Sequence, residues 1–323
     1  MERNNFFDSL KFILIFLVVL GHVMEYEIYE NHLRLTVFSF IYTFHMPLFI
    51  FISGYFSKNL TWEKYKKSFA SLALTYVVFQ IYYLILSHMS GSPFDLKEAI
   101  LVPKNVLWYI LGLLFWRFFF CFIPKLKIPF PLLLIISILI SIASCFYNSS
   151  NVLLKFIHFF PFFIAGYYCS SNIIEKIRSW NKLYILGISA LIFCGLFIFA
   201  DKWLLFTIFG DFPYSYYPEG YNGIALKLLT YVLGAVMSVC VINLASERFY
   251  KQGTKTMAIY LLHSTYVYFY RMVGEFEVQP WFILMDFVGA AAIVAVCLLL
   301  YRIKIIQYCT NPIEIVRLIK NKI

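Results

Sequence analysis

Three ionisable residues, Asp8, Lys11 and His22, interrupt one apolar stretch of Phe, Leu, Ile and Val at residues 6–24. Ionisable groups in a stretch that lies in lipid are costly, so each marks a site and implies a partner. Steps of 3 and 11 residues on a 3.6-residue helix put Lys11 and His22 within about 20° of each other, with Asp8 about 60° from Lys11. The three form one stripe through Ile15 and Val18. The rise from Lys11 to His22 is about 16 Å, long enough to engage both ends of an extended ligand, a cation at one end and an imidazole at the other. A plainer reading has Lys11 reaching the lipid headgroups with Asp8 paired to it and His22 at the far interface. Gly21, just before His22, leaves room for a backbone or a ligand to approach.

The next apolar stretch holds Thr43-Phe44-His45-Met46-Pro47. Pro47 frees a backbone carbonyl near His45, which serves either helix packing or chemistry. Further along stand Leu107-Trp108-Tyr109, then Arg117, then His158 with Pro161, and a late run in which Tyr260 and His263 share one side of a helix. Trp108 and Tyr109 read equally as interfacial anchors. Asp286 calls for a cation or a histidine as partner. The densest basic cluster, Lys58, Lys64, Lys66 and Lys67, suits either anionic lipid or a phosphorylated cofactor. No Gly-rich phosphate loop accompanies it. The seven cysteines are scattered without metal-ligand spacing, so no metal is expected.

The elements that must position these residues are membrane helices. Hydrophobic residues make up 62% of the 323, charged residues 14%, and mean hydropathy is +0.77; a soluble chain carries roughly 25% charged residues. Runs near the roughly 20 residues needed to cross a bilayer fall at 6–24, 35–56, 69–88, 106–123, 130–147, 152–169, 183–200, 224–243, 256–272 and 281–301. The expected fold is therefore all-α, a polytopic integral membrane protein of about ten transmembrane helices. A cytoplasmic N-terminus places eighteen Lys and Arg inside against five outside, so both termini are expected in the cytoplasm. The net charge of +10 is read as topology and not as nucleic-acid binding. One long connection, 201–223, rich in Tyr, Pro and Gly, is placed to cover something.

Taken in order, Arg3, Asp8-Ser9-Leu10-Lys11, ten intervening residues, Gly21-His22, then Phe44-His45-Met46-Pro47 through Ser53-Gly54-Tyr55 resemble the membrane acyltransferase family 3. They are most similar to its fucose O-acetylase-like branch. Leu107-Trp108-Tyr109, Pro161 through Tyr167, and Tyr260-Leu261-Leu262-His263 continue the resemblance over one domain, 1–323. It implies an enzyme of the bacterial plasma or inner membrane that moves an acyl group, usually acetyl, from cytoplasmic acyl-CoA to a sugar hydroxyl of a surface polysaccharide or its lipid-linked precursor. His22 matches the family's essential histidine, as general base or acyl carrier, with Asp8 and His45 beside it. Lys11 matches the basic residue ahead of that histidine, with Lys64, Lys66, Lys67 and Arg117 as further donor contacts. Trp108, Tyr109 and His263 then face the acceptor, and Tyr109, Trp108 or Lys11 supplies the oxyanion donor. Where the family often carries an Arg-rich run ending in Pro, this chain has Lys66-Lys67-Ser68-Phe69-Ala70-Ser71. The competing class, a transporter or glycan flippase, predicts repeated halves, and 1–160 and 161–323 show none.

Overall fold

The computed structural model describes residues 4–25, 28–29, 31–93, 100, 102–148, 151–273 and 282–311. In chain order the helices are α1 (Asn5–Met24), α2 (His32–Tyr55), α3 (Trp62–Met89), α4 (Trp108–Phe120), α5 (Phe130–Ser144), α6 (Val152–Tyr168), α7 (Ser171–Arg178) and α8 (Lys182–Phe199). They continue with α9 (Lys202–Phe209), α10 (Gly223–Leu244), α11 (Tyr250–Gly253), α12 (Thr256–Leu262), α13 (Thr265–Val273), α14 (Phe282–Leu300) and α15 (Lys304–Thr310). Among the described residues there is no strand. Polar caps written into the sequence set the starts: Asn4, Asn31, Thr61, Asn151, Ser170, Asn181, Asp201 and Asn222 each accept a first-turn amide, satisfying one of the donors a helix start leaves open.

The chain is an all-helical polytopic membrane protein, and each of the ten apolar runs coincides with helix. By length and composition seven helices among the described residues are long and apolar enough to cross a bilayer, or eight if α6 and α7, bent by 97°, are one span. Three expectations need correction. Capping by Thr61 starts α3 at Trp62 and not near residue 69, which puts Lys64, Lys66 and Lys67 on its first turns and not in a loop. The run 256–272 is broken by a turn at His263 and Ser264, where the Leu261 carbonyl accepts from the Tyr83 hydroxyl. The connection 201–223 is itself structured, with α9 and a 3-10 turn at Tyr214–Tyr216. Its Thr207 and Tyr217 hydroxyls lie 2.6 Å apart, and burial pushes the Tyr217 phenol up to about 12.

Helices α1 and α2 are the most buried spans, while α8 turns Leu183, Tyr184, Leu191 and Phe199 outward, as a lipid-facing helix does. Lipid offers no hydrophobic drive between helices, so close backbone approach through small residues supplies the packing. Two such contacts join α2 to α6: a Cβ on Gly54 would overlap the Phe163 carbonyl, and one on Gly166 would overlap that of Phe51. Gly253 does the same for α1, sitting against the Asp8 carbonyl. The Thr43 carbonyl, freed by Pro47, faces Gly234 of α10. Since the obstacle is backbone, Gly54→Ala or Gly166→Ala should cost about 1–3 kcal/mol by overpacking. Gly187→Ala, with nothing within 4 Å, should be neutral or gain up to about 1 kcal/mol in helix propensity. Thermal unfolding in detergent reads the difference, and equal melting points for Gly166→Ala and Gly187→Ala would contradict it.

Candidate functional site

Asp8, Lys11 and His22 all open onto one cavity of about 950 Å3. The stripe expected from helical periodicity is thus a wall of a single chamber. At one end Lys11 Nζ pairs with Asp8 Oδ1 at 2.7 Å, beside Gly253 and Thr254. At the other, His22 Nδ1 lies 2.9 Å from Glu25 Oε2. Glu25 occupies the turn that ends α1, three residues on and so over the same face. As donor to a carboxylate, Nδ1 carries the proton, which leaves Nε2 with the basic lone pair. Glu25 is not among the residues singled out from the sequence, although its spacing of three from His22 was the available signal.

Around this pair the packing is aromatic. The space left by Gly21 is filled by neither a backbone nor a ligand but by the ring of Tyr42, whose Cε2 would stand 2.6 Å from a Cβ. Tyr42 stacks on Phe38 at 3.9 Å and meets His45 edge-on at 4.4 Å. His45 is buried and lines the cavity; its Nδ1 binds the Ile41 carbonyl at 3.0 Å, leaving Nε2 free to address the chamber. His263 sits behind His22, ring centroids 5.4 Å apart. Its Nδ1 binds Ile259 O at 3.0 Å, and its buried Nε2 has no partner among the described residues. Tyr109 lines the cavity and shares a 2.6 Å hydrogen bond with Ser53. Trp108 also lines it, with Lys155 Nζ 5.1 Å from its ring centroid.

Other expected contacts are placed elsewhere. Lys64 binds the Asn59 carbonyl and Lys66 pairs with Glu63 at 2.9 Å, both exposed; Lys67 is exposed beside them. Arg117 Nε donates to Ser57 Oγ at 3.1 Å. None of the four is among the residues that line the cavity. The partner of Asp286 is Arg34, at 3.2 Å, one of the five cations counted outside on the expected topology. Arg34 is buried and also donates to the Met24 and Val23 carbonyls at 3.3 and 3.4 Å. It thereby satisfies the C-terminal end of α1, beside His22, where a cation also favours the helix dipole. Among the described residues no group of three or more His, Cys, Asp or Glu is placed to hold a metal.

A family profile described as an acyltransferase domain matches residues 4–302. Over 61 residues, 18% of this chain and 17% of the relative, the sequence is 48% identical to nodulation protein NolL of Sinorhizobium fredii (strain NBRC 101917 / NGR234). Over 110 residues, 33% of this chain and 28% of the relative, it is 33% identical to nodulation protein NolL of Mesorhizobium japonicum. The chain thus spans under a third of the length of either relative. No solved structure matches it.

The Arg34–Asp286 pair generates a test of its own. Removing one partner of a buried ion pair strands the other charge, at a cost of about 3–5 kcal/mol. Asp286→Ala should therefore lower the melting temperature in detergent markedly, while the double change Arg34→Met with Asp286→Leu should recover part of the loss. A single variant as stable as the wild type would show that the pair carries no such weight.

Proposed function

The chain belongs to the acyltransferase family whose profile spans it, and from that premise we propose that it is a multi-pass O-acyltransferase of a bacterial cell membrane. The donor is acyl-CoA, acetyl-CoA in the reading the resemblance favours, entering from the cytoplasmic side where both termini lie. The acceptor is a sugar hydroxyl of a surface polysaccharide or of its lipid-linked precursor. The observation that carries this reading is that Lys11 and His22, about 16 Å apart along α1, face one chamber. A long donor can rest its charged part near Lys11 while its thioester reaches His22.

In this reading His22 is the general base. A sugar hydroxyl is a poor nucleophile at neutral pH, and proton removal in the transition state makes its attack feasible. The hydroxyl oxygen bonds to the thioester carbon while its proton passes to His22 Nε2. The tetrahedral intermediate then collapses, the carbon–sulfur bond breaks, and the departing thiolate receives the proton from Nε2. Glu25, bonded to Nδ1, holds the ring in the tautomer this requires and offsets the charge that forms on it. Tyr109, which lines the same chamber, is the donor for the developing oxyanion, its hydroxyl oriented by Ser53. The bond from Nδ1 to Glu25 leaves Nε2 as the basic nitrogen, which serves a general base and an acyl-carrying histidine alike.

Purified full-length protein, radiolabelled acetyl-CoA and a glycan-bearing membrane fraction test the proposal. His22→Ala should lower kcat by about 10²–10⁴-fold with donor binding nearly unchanged. Glu25→Gln should lose about tenfold or more in kcat, by weakening the same proton transfer. Lys11→Ala should mainly raise the donor concentration needed, since its contact exists in ground and transition states alike. His45→Gln, which keeps a hydrogen-bonding end, should retain more activity than His45→Leu. Loss of donor binding in His22→Ala, with loss of turnover alone in Lys11→Ala, would reverse the assignment of the two ends. A wild-type protein that transfers no label would end the acyltransferase reading. Labelling of a cysteine placed in 57–68 from outside intact cells would overturn the orientation.

A further inference from the structure

The backbone at Asn105 is left-handed, φ +48°. Asn is among the few side-chain-bearing residues that tolerate this conformation. Asn105 opens the 3-10 turn Asn105–Leu107 that leads into α4, and its side chain lines the cavity. Its Nδ2 is fully shielded and has no hydrogen-bond partner among the described residues. A buried amide donor without a partner costs about 1–3 kcal/mol, and strained backbone of this kind clusters at ligand sites. Close by along the chain, Trp108 carries Lys155 over its ring, and Lys155 Nζ pairs with Asp211 Oδ2 at 2.7 Å. Asp211 belongs to the structured connection 201–223, whose next residue, Phe212, closes the same wall. None of these features is required by the His22–Glu25 or Lys11–Asp8 pairs.

Contacts place this group. The Tyr260 hydroxyl donates to the Val106 carbonyl at the start of α4, and Tyr260 leads through His263 to His22, with ring centroids 6.4 and 5.4 Å apart, while Gly253 packs on Asp8 at the other end. Phosphates of a donor would meet two carboxylates in this wall, Glu25 and Asp211, with Lys155 already paired to Asp211. A neutral polyol meets what it needs: an amide donor, an ammonium donor and a carboxylate acceptor between aromatic walls, matching hydroxyls that each donate once and accept twice.

We propose that Asn105, Lys155 and Asp211 form the subsite that binds the sugar ring of the acceptor, the Asn105 amide turning its shielded, unpartnered Nδ2 onto a ring-borne oxygen. The proposal rests on the acyl-transfer reading above and adds the residues that select the acceptor. The Trp108 ring positions Lys155, and the connection 201–223 brings Asp211 over the bound ring.

The test uses the full-length protein, radiolabelled acetyl-CoA and graded amounts of the glycan-bearing membrane fraction as acceptor. Asn105→Gly keeps the left-handed backbone without the amide, and Asn105→Asp keeps the shape but replaces the donor with an acceptor. Both should raise the apparent KM for the acceptor at least tenfold with the donor KM within twofold. Lys155→Met should do the same by breaking the pair, and a melting temperature equal to that of the wild type shows each variant to be folded. An unchanged acceptor KM in folded Asn105→Gly and Lys155→Met, with an active wild type, overturns the subsite alone. A raised donor KM with unchanged acceptor KM gives Asn105 to the thioester and overturns it too. A silent wild type removes the acyl-transfer reading first, and the subsite with it.

Discussion

The rest of the architecture depends on helices held so close that no side chain fits between their backbones. Where Gly54 and Gly166 meet the carbonyls of Phe163 and Phe51, α2 and α6 are pressed into one rigid unit, and in lipid such contact replaces the hydrophobic drive that water would supply. Helix α2 brings His45 and Tyr42, α6 brings Lys155 and Phe159, and all four line the chamber. The walls are therefore as fixed as the glycine contacts that set their spacing.

Helix α1 is pinned separately at its two ends. Gly253 lets α11 sit on the Asp8 carbonyl, and Arg34 with Asp286 ties the last carbonyls of α1 to α2 and α14. Between those anchors the helix has little freedom to slide or turn. That constraint gives meaning to a separation of about 16 Å between Lys11 and His22: it is a ruler cut by the helix itself, and a reactant that spans it must match its length.

Much of this was legible in the sequence, because a helix writes its face into the spacing of its residues. The stripe of Asp8, Lys11 and His22 needed only the 3.6-residue period, and the capped starts of eight helices needed only Ser, Thr, Asn or Asp in the right place. What escaped was set by neighbours distant in sequence. Arg34 looked like a cation in an external break because its carboxylate partner lies 252 residues away. Glu25 merged with the acids around it, since nothing in the pattern showed α1 ending in a turn that returns a carboxylate to His22. Lys64, Lys66 and Lys67 were grouped by composition, yet helical geometry carries them away from the chamber. At the break near His263 the Leu261 carbonyl accepts from the Tyr83 hydroxyl, a contact that no local propensity records.

The chamber also matters to the membrane as an insulator. The two lysines that line it are each matched by a carboxylate, Lys11 by Asp8 and Lys155 by Asp211. Moving one elementary charge across a membrane is worth about 2.3 kcal/mol per 100 mV, and a transported ion would feel that field. On the proposed reading the group handed between reactants is a neutral acyl group, so its transfer does no work against that field.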